Sequence, residues 1–234
     1  SQIAFAAAAD DTRPVLTAIV FQVSRDNLSL VATDGFRLSL KSVKLVNPIN
    51  LSSDQVSYLI PAKSLVELTR LSKNAKKIKI GLTPDGHQLV FVLDDLELVS
   101  RLIEGDYPNY QRIIPDGFST KVFISQSDLA QSIKIASVFA RESANVVKFN
   151  VKKSSVELSA NAPQMGQNQV SFDARVEGEP LQIAFNYKFV SDFISVCQGE
   201  EVVIEFNESL TPAQFRDQSD PGFTHIIMPV RLQD

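Results

Sequence analysis

An internal repeat is the feature of this sequence that most restricts its fold. An apolar segment, a polar turn and a second apolar segment occur in the same order in both halves of the chain, which aligns Phe21 with Phe149 at an offset of 128 residues. A further pair of segments matches at an offset near 124 residues. The matching pairs are 15–32 with 146–160, and 59–80 with 183–206. Offsets of this length indicate a duplicated module, because solenoid repeats recur every ~20–50 residues.

Most of the repeated module has the alternation of apolar and polar residues that is typical of β-strands. In the first such segment, Val15, Thr17, Ile19, Phe21 and Val23 fall on one face. The predicted strands are 15–23, 28–33, 36–43, 78–80, 89–93, 121–124, 146–151 and 156–160. The sequence Pro84-Asp85-Gly86 between two of them predicts a hairpin, and consecutive strands joined by short turns predict antiparallel sheets.

Three segments have helical spacing of apolar residues. The first, 61–72, begins at Pro61 and carries Leu65, Leu68 and Leu71, with Val66 beside them. The second, 127–139, begins with Ser127-Asp128 as a cap and places Leu129, Ile133, Ala136 and Ala140 on one face. The third, 186–197, begins with Asn186 as a cap and ends before Gly199. The predicted fold class is therefore α+β, with antiparallel sheets and few helices.

The chain of 234 residues is long enough for two modules. A stretch rich in Pro, Gly and Tyr, 104–117, is the predicted join, which gives modules 1–117 and 118–234. The second module has a strand and a full helix ahead of its repeated segment, whereas the first has only residues 1–9 there. We therefore expect Ser1 to lie inside a helix and the chain to be a piece of a longer protein.

Composition argues against several classes of function. Lys and Arg total 23 and Asp and Glu total 27, a formal charge of −4, so any polyanion site must be a local patch. The single cysteine, Cys197, excludes disulfide and Cys-based metal frameworks, and favours a reducing cytoplasmic setting. His87 and His225 have no neighbouring ligands and are predicted at solvent-edge strand positions. Phosphate-binding and hydrolase motifs are absent, so no cofactor, metal or enzymatic activity is predicted.

Three motifs resemble the bacterial DNA polymerase III beta subunit, the sliding clamp. Residues 32–38 read ATDGFRL, residues 105–115 read GDYPNYQRIIP, and residues 226–232 read IIMPVRL. Members of this family have three modules per subunit and two subunits per ring. The resemblance implies modules two and three, a processivity factor, and a ring with sheets outside and helices lining the hole around duplex DNA. It also implies partners: the replicative polymerase, the clamp loader and repair proteins.

In the family these motifs line a hydrophobic groove that binds short peptides of the Gln-Leu-x-Leu-Phe kind. The resemblance carries that role to Leu16, Thr33, Gly35, Phe36, Arg37, Leu38, Pro108, Arg112, Ile113, Asn186, Phe189, Pro212, Ile226, Ile227, Met228, Pro229, Val230 and Arg231. Phe36, Pro212 and Val230 replace the more familiar His, Ser and Met, so the preferred peptide could differ. From the residues alone, Asp34-Gly35 predicts a bend and Arg37 a presented guanidinium, while Pro229 interrupts a strand.

The resemblance further implies a basic lining and a subunit joint. Residues 63–77 carry a local charge of +4 and residues 128–141 a local charge of +1, against an acidic whole chain. The expected DNA-facing residues are Arg13, Lys63, Arg70, Lys73, Lys76, Lys77, Lys134 and Arg141. Val138 and Phe139 match apolar family positions at the joint between subunits.

Three alternatives stay open at this point. An archaeal- or eukaryote-like clamp with two modules per subunit fits the module count. A β-rich peptide-binding scaffold would use the groove without DNA. A hydrolase using Asp10 or Asp94 is the third, although adjacent strand carboxylates point to opposite faces and do not converge.

Overall fold

A computed structural model describes residues 2–10, 12–51, 53–163 and 166–231 of the chain. It divides into two compact units, Ser1–Pro108 and Asn109–Asp234. The division falls within the predicted join, 104–117. Ser1, which is expected inside a helix, and Leu232, which ends the third motif, lie outside the described residues.

The first unit contains two antiparallel sheets and one α-helix. Its first sheet has the order β4-β1-β2-β3, built from β1 (Ala18–Ser24), β2 (Asn27–Thr33), β3 (Arg37–Lys44) and β4 (Gln55–Pro61). Helix α1 (Ala62–Leu71) follows β4 directly. The second sheet has the order β5-β6-β7, built from β5 (Ile78–Leu82), β6 (Gln88–Leu93) and β7 (Leu96–Arg101). Short 3₁₀ turns occur at Ala4–Ala6, Pro14–Thr17 and Ser72–Asn74.

The apolar stripe of α1 closes the core of the first unit. Leu65, Leu68 and Leu71 pack against a buried cluster made of Phe21, Ile60, Leu89, Phe91 and Leu93. The predicted helical stripe is thereby confirmed, except that Val66 is 51% exposed and does not share that face. The predicted hairpin is also confirmed, because β5 and β6 pair antiparallel across the turn that contains Gly86 at φ 77°.

The second unit repeats this plan with additional elements. It begins with β8 (Thr120–Ser125) and α2 (Gln126–Ala140), followed by β9 (Val146–Val151), β10 (Ser155–Ala162), β11 (Gly166–Asp173) and β12 (Arg175–Glu177). It continues with β13 (Leu181–Asn186), α3 (Tyr187–Val196), β14 (Glu201–Phe206), β15 (Ala213–Asp217) and β16 (Phe223–Ile227). A 3₁₀ turn, Tyr110–Ile113, precedes β8. All of its strand pairs are antiparallel among the described residues.

Strand order confirms the internal repeat. The order β4-β1-β2-β3 in the first unit corresponds to β13-β9-β10-β11 in the second, and β5-β6-β7 corresponds to β14-β15-β16. In each unit a helix connects the two sheets: α1 follows β4 and leads to β5, and α3 follows β13 and leads to β14. Together these elements form an α+β fold with antiparallel sheets and few helices, as predicted.

Three local predictions were wrong, each for a physical reason. β1 begins at Ala18 and not at Val15, because Pro14 opens a 3₁₀ turn where its missing N–H costs nothing. Helix α2 is capped by Ser125, whose hydroxyl accepts from Asp128 N at 3.4 Å, and not by the predicted Ser127-Asp128. His225 is 0% exposed and stacks on Phe193 with ring centroids 5.7 Å apart, so it is a core residue.

Other details agree with the sequence. Asn186 caps α3, and its Oδ1 accepts from Lys188 N at 3.0 Å. The face of α2 formed by Leu129, Ile133, Ala136 and Ala140 is buried. No helix in the described ranges has the length and apolar character that a membrane crossing requires.

Candidate functional site

The bend between β2 and β3 is shaped by the side chain of Asp34. Its Oδ1 accepts from Phe36 N at 2.9 Å and from Arg37 N at 3.0 Å. The Thr33 hydroxyl accepts from Gly35 N at 3.1 Å, and Gly35 has φ 94°, a conformation that side chains with a Cβ rarely adopt. The bend is therefore fixed by local hydrogen bonds, as the Asp-Gly sequence predicts.

This bend presents one large apolar side chain. Phe36 is 62% exposed, whereas Leu38 and Thr33 are buried in the first unit. Leu16, at the end of the Pro14–Thr17 turn, is also buried. Of these predicted peptide contacts, Phe36 has the accessible apolar surface that binding requires, and the others support the position of the bend.

Arg37 holds the bend together and does not present its guanidinium. Its Nε donates to Asp34 Oδ2 at 3.0 Å, and one Nη donates to Phe5 O at 2.6 Å. The guanidinium carbon lies 5.4 Å from the centroid of the Phe5 ring, a cation–π distance, and the side chain is 11% exposed. The expectation of a presented charge at Arg37 is therefore wrong, because three groups of the same unit already engage it.

Arg13 and Tyr107 also contact this bend. One Nη of Arg13 donates to Asp34 O at 3.0 Å, and a Cβ added at Gly35 would lie 3.2 Å from the other Nη. The Tyr107 hydroxyl accepts from Thr33 N at 3.0 Å. Arg13 was expected to face DNA, and its exposed guanidinium lies beside Gly35. Asp34 and Tyr107 were not predicted as site residues, although they lie inside ATDGFRL and GDYPNYQRIIP, and the Asp-Gly pair is a sequence signal for the bend that Asp34 supports.

The last described residues of the second unit form a different arrangement. Ile226 and Ile227 end β16 and are fully buried, while Met228 is 37% exposed. The strand ends before Pro229, as predicted, and Val230 N then donates to Ala184 O of β13 at 2.8 Å. This segment, Met228–Arg231, is called the tail below. The hydrogen bond to β13 fixes its course along the unit.

The remaining predicted peptide positions have mixed surroundings. Phe189 of α3 and Pro212 before β15 are half-buried, and Asn186 is committed to capping α3. Pro108 and Arg112 are exposed, and Ile113 is half-buried in its 3₁₀ turn. Among the predicted peptide positions of the second unit, accessible apolar surface therefore comes from Phe189, Met228 and Val230.

The predicted cations of α1 lie along one exposed helical stripe. Lys63 and Arg70 are separated by two turns, and Glu67 lies between them on the same face. Arg70 Nε donates to Glu67 Oε2 at 3.0 Å, and this hydrogen bond lowers the pKa of Glu67 and raises that of Arg70. Lys73, Lys76 and Lys77 follow the helix and are exposed. The stripe and the lysines after it form the most cationic surface segment of the first unit.

Helix α2 has a second exposed stripe. Lys134, Val138 and Arg141 follow one another at helical spacing, and Val138 is 50% exposed. Arg141 Nε donates to the Tyr187 hydroxyl at 3.3 Å, whereas Phe139 is half-buried. This stripe has fewer cations than that of α1, in keeping with the lower local charge of its sequence.

Groups that could support catalysis or metal binding are dispersed. Across the described ranges, no cluster of at least three His, Cys, Asp or Glu side chains could hold a metal ion. Burial, followed by the nearby charges of Asp217 and Asp220, raises the pKa of Cys197 to about 12, so the thiol stays protonated at neutral pH. Asp10 is exposed and engaged with Thr12.

Comparison with known proteins gives a family for both units. Residues 1–109 match the central domain of the DNA polymerase III beta subunit, and residues 111–231 match its C-terminal domain. The chain is 35% identical to the beta sliding clamp of Bacillus subtilis strain 168, over 98% of this chain and 61% of that protein. It therefore spans about three fifths of the length of that curated relative.

Solved structures of similar proteins have the same fold. The DNA polymerase sliding clamp of Bacillus subtilis matches with a TM-score of 0.91 and 33% identity, over 99% of this chain and 61% of that chain. The DNA polymerase III beta subunit of Thermotoga maritima matches with a TM-score of 0.91 and 31% identity, over 99% and 62% of the two chains. The matched domains are a central and a C-terminal one, which does not favour a two-module clamp.

Proposed function

The chain belongs to the DNA polymerase III beta subunit family, and on this premise we propose that it supplies the second and third modules of a DNA sliding clamp. The observation that carries the proposal is the match of both units, in order, to the central and C-terminal domains of that family. The proposed modules are 1–117 and 118–234. In this role the protein tethers a DNA polymerase to its template and does no chemistry itself, and it acts in the cytoplasm, where bacterial DNA is copied.

We propose that the exposed apolar residues of both units bind the short peptide motifs of client proteins. Phe36 supports this role in the first unit, since it is held outward by the Asp34 hydrogen bonds and has little intramolecular packing. In the second unit, Met228 and Phe189 offer deformable and aromatic surface. The buried predicted positions act indirectly, by holding these side chains in place.

DNA is the second proposed partner. The lysines that follow α1 and the cations of the helical stripes have mobile, hydrated side chains, which suit weak phosphate contacts without sequence readout. Arg70 contributes less than its charge implies, because Glu67 already engages it. The complete ring of the family requires a first module, so DNA encirclement is proposed for the whole protein.

Peptide binding provides the sharpest test of the proposed function. Phe36→Ala should weaken the binding of a fluorescent peptide containing Gln-Leu-x-Leu-Phe by about 2 kcal/mol, the loss expected for an apolar anchor. Fluorescence anisotropy on this chain measures the affinity. Val46→Ala is the matched control, because Val46 is 96% exposed in the same unit but outside the proposed site. Equal affinities for the two variants would contradict the assignment of Phe36.

A further inference from the structure

A polar cavity in the second unit is not explained by either proposed partner. It has a volume of about 460 Å³ and lies over the outer face of the sheet that contains β9 and β10, where the tail passes. Lys148 and Ser159 are cross-strand partners in that sheet, so their side chains share one face. Arg231 of the tail and Ser143, in the turn after α2, complete the polar part of the wall.

The charge of this cavity is uniformly positive. Lys148 and Arg231 line it, and among the residues that the structure describes no Asp or Glu does. The carboxylate nearest along the same sheet face, Glu157, is already bound to Lys152 with Nζ and Oε2 2.6 Å apart, which lowers the pKa of Glu157. Within the described ranges, no hydrogen bond or ion pair engages the side chain of Lys148 or Arg231. A chain of net charge −4 therefore directs two uncompensated cations into one cavity.

The neutral part of the wall adds hydrogen-bond donors. Ser143, Ser159 and Asn161 line the cavity, and their side chains have no hydrogen-bond partner among the residues that the structure describes. The carbonyl oxygen of Ala140, at the end of α2, does not occupy the hydrogen-bond donors of the cavity side chains, because it already accepts from Ser143 N at 3.0 Å and from Asn145 N at 2.9 Å. The cavity thus combines cations and neutral donors, which together favour a ligand with several acceptor oxygens.

We propose that this cavity binds the phosphate group of a small organic phosphate ester. A phosphate monoester carries close to two negative charges at neutral pH and three strong acceptor oxygens, which matches two cations and several hydroxyl and amide donors. Ala160 and Val230 also line the cavity and provide apolar surface for the organic part. The volume is within the range of small-molecule sites, roughly 300–1,000 Å³.

Most of the polar residues proposed to bind phosphate lie outside the proposed peptide contacts. Lys148, Ser143, Ser159 and Asn161 are not at peptide positions, although Val230 and Arg231 are shared. The two proposals can therefore fail independently. Lys148→Gln should weaken phosphate binding at least tenfold and leave peptide affinity unchanged.

Titration of the whole chain with phenyl phosphate, followed by amide shifts in ¹H–¹⁵N NMR spectra, tests the proposal. We expect saturable shifts centred on residues 143–148 and 159–161, and at least tenfold weaker binding for Lys148→Gln. Lys153→Gln is the matched control, since Lys153 is exposed in the turn after β9 and outside the cavity, and it removes the same charge. The control should bind as the unaltered chain does.

Two further ligands test whether the cavity prefers an organic phosphate ester over free phosphate and over the phosphate diesters of DNA. Inorganic phosphate should bind more weakly than phenyl phosphate, because it makes no contact with Ala160 and Val230. A short DNA duplex, which carries phosphate diesters, should leave these amides unshifted. Absence of shifts with phenyl phosphate, equal binding by Lys148→Gln and Lys153→Gln, equal or tighter binding of inorganic phosphate, or a response to DNA at these amides would each overturn the proposal.

Discussion

At the scale of single residues, buried acceptors hold the loops in place. Asp217 at the end of β15 is 1% exposed, and its Oδ2 accepts from Gln198 N at 2.7 Å and Gly199 N at 3.2 Å. Its Oδ1 accepts from Ser219 N at 2.9 Å and from the Ser219 hydroxyl at 2.7 Å. Burial alone would raise the pKa of Asp217, but these hydrogen bonds outweigh it and lower the pKa.

Asp217→Asn should therefore destabilise the second unit by about 2 kcal/mol at neutral pH, because an amide nitrogen would face backbone donors. A lowered folded-state pKa gives stability that is present above the unfolded value of about 3.9 and is lost as pH falls through the folded value. The difference between the two proteins should thus narrow below about pH 4. Urea unfolding at several pH values measures it, with the exposed Asp95→Asn as control. A difference independent of pH would contradict the role of the charge.

Residue-scale signals explain why some site features were predictable. The bend at Asp34-Gly35 and the Asn186 cap depend on neighbours within three residues, so the sequence alone indicates them. The structural role of Arg37 could not be predicted from neighbouring residues, because its partner Phe5 lies 32 residues away in the sequence. His225 was misplaced for a similar reason, since Phe193 and Phe215 reach its ring only after α3 and β15 have packed.

At the scale of elements, α1 and α3 were predicted within a residue or two because each combines a stripe of apolar residues with a clear start. β4, β7 and β11 to β15 were not among the predicted strands. In β7 the pattern is reversed near its end, because Val99 is 52% exposed and Ser100 is buried. The places of β4 and β7 in the sheets depend on pairing with β1 and β6. The positions of these strands are therefore determined by pairing with antiparallel strands, and the local pattern of residues does not indicate them.

One element, β5, is an edge strand with exposed apolar side chains. Ile78, Ile80 and Leu82 are 40%, 48% and 45% exposed although their cross-strand partners on β6 belong to the core. Lys77 and Lys79 are exposed beside them. In the second unit the corresponding strand, β14, is paired with β8. In the first unit, Lys77 and Lys79 oppose the pairing of β5 with a second copy by repulsion.

The double variant Lys77→Gln/Lys79→Gln should therefore associate as concentration rises, whereas the unaltered chain should stay largely monomeric. Loss of repulsion leaves the apolar edge free to pair with itself. Light scattering over a concentration series measures the association. Lys153→Gln/Lys188→Gln removes the same charge from exposed positions of the second unit and is the control. Monomeric behaviour of both variants would show that the lysines do not protect β5.

At the scale of the whole molecule, charge is segregated despite a net value of −4. Lysines are concentrated around α1 and just after it, and acidic residues are distributed over the rest of the chain. The family assignment was within reach of the sequence because three motifs are spread over almost the whole chain. The sequence alone did not show which charged side chains are already paired with each other, such as Arg70 with Glu67.

This distribution predicts weak, sequence-blind DNA binding by the isolated chain. Each phosphate neutralised on duplex DNA adds about 0.9 to the slope of log affinity against log salt concentration. Lys73, Lys76 and Lys77 have exposed side chains, so Lys73→Gln/Lys76→Gln/Lys77→Gln should lower both the affinity and that slope. Fluorescence anisotropy with two duplexes of unrelated sequence, over a salt series, measures both quantities.

The control for this last prediction is Lys44→Gln/Lys153→Gln/Lys188→Gln, which removes the same charge from exposed positions outside the proposed lining. If net charge alone governed binding, the two triple variants would lose affinity equally. If the lysines after α1 contact phosphate, the first variant should lose more and its slope should fall by about 0.9 per contact removed. Tight binding of one duplex over the other that persists in high salt would identify a site-specific DNA reader, because a clamp that slides must not prefer any sequence.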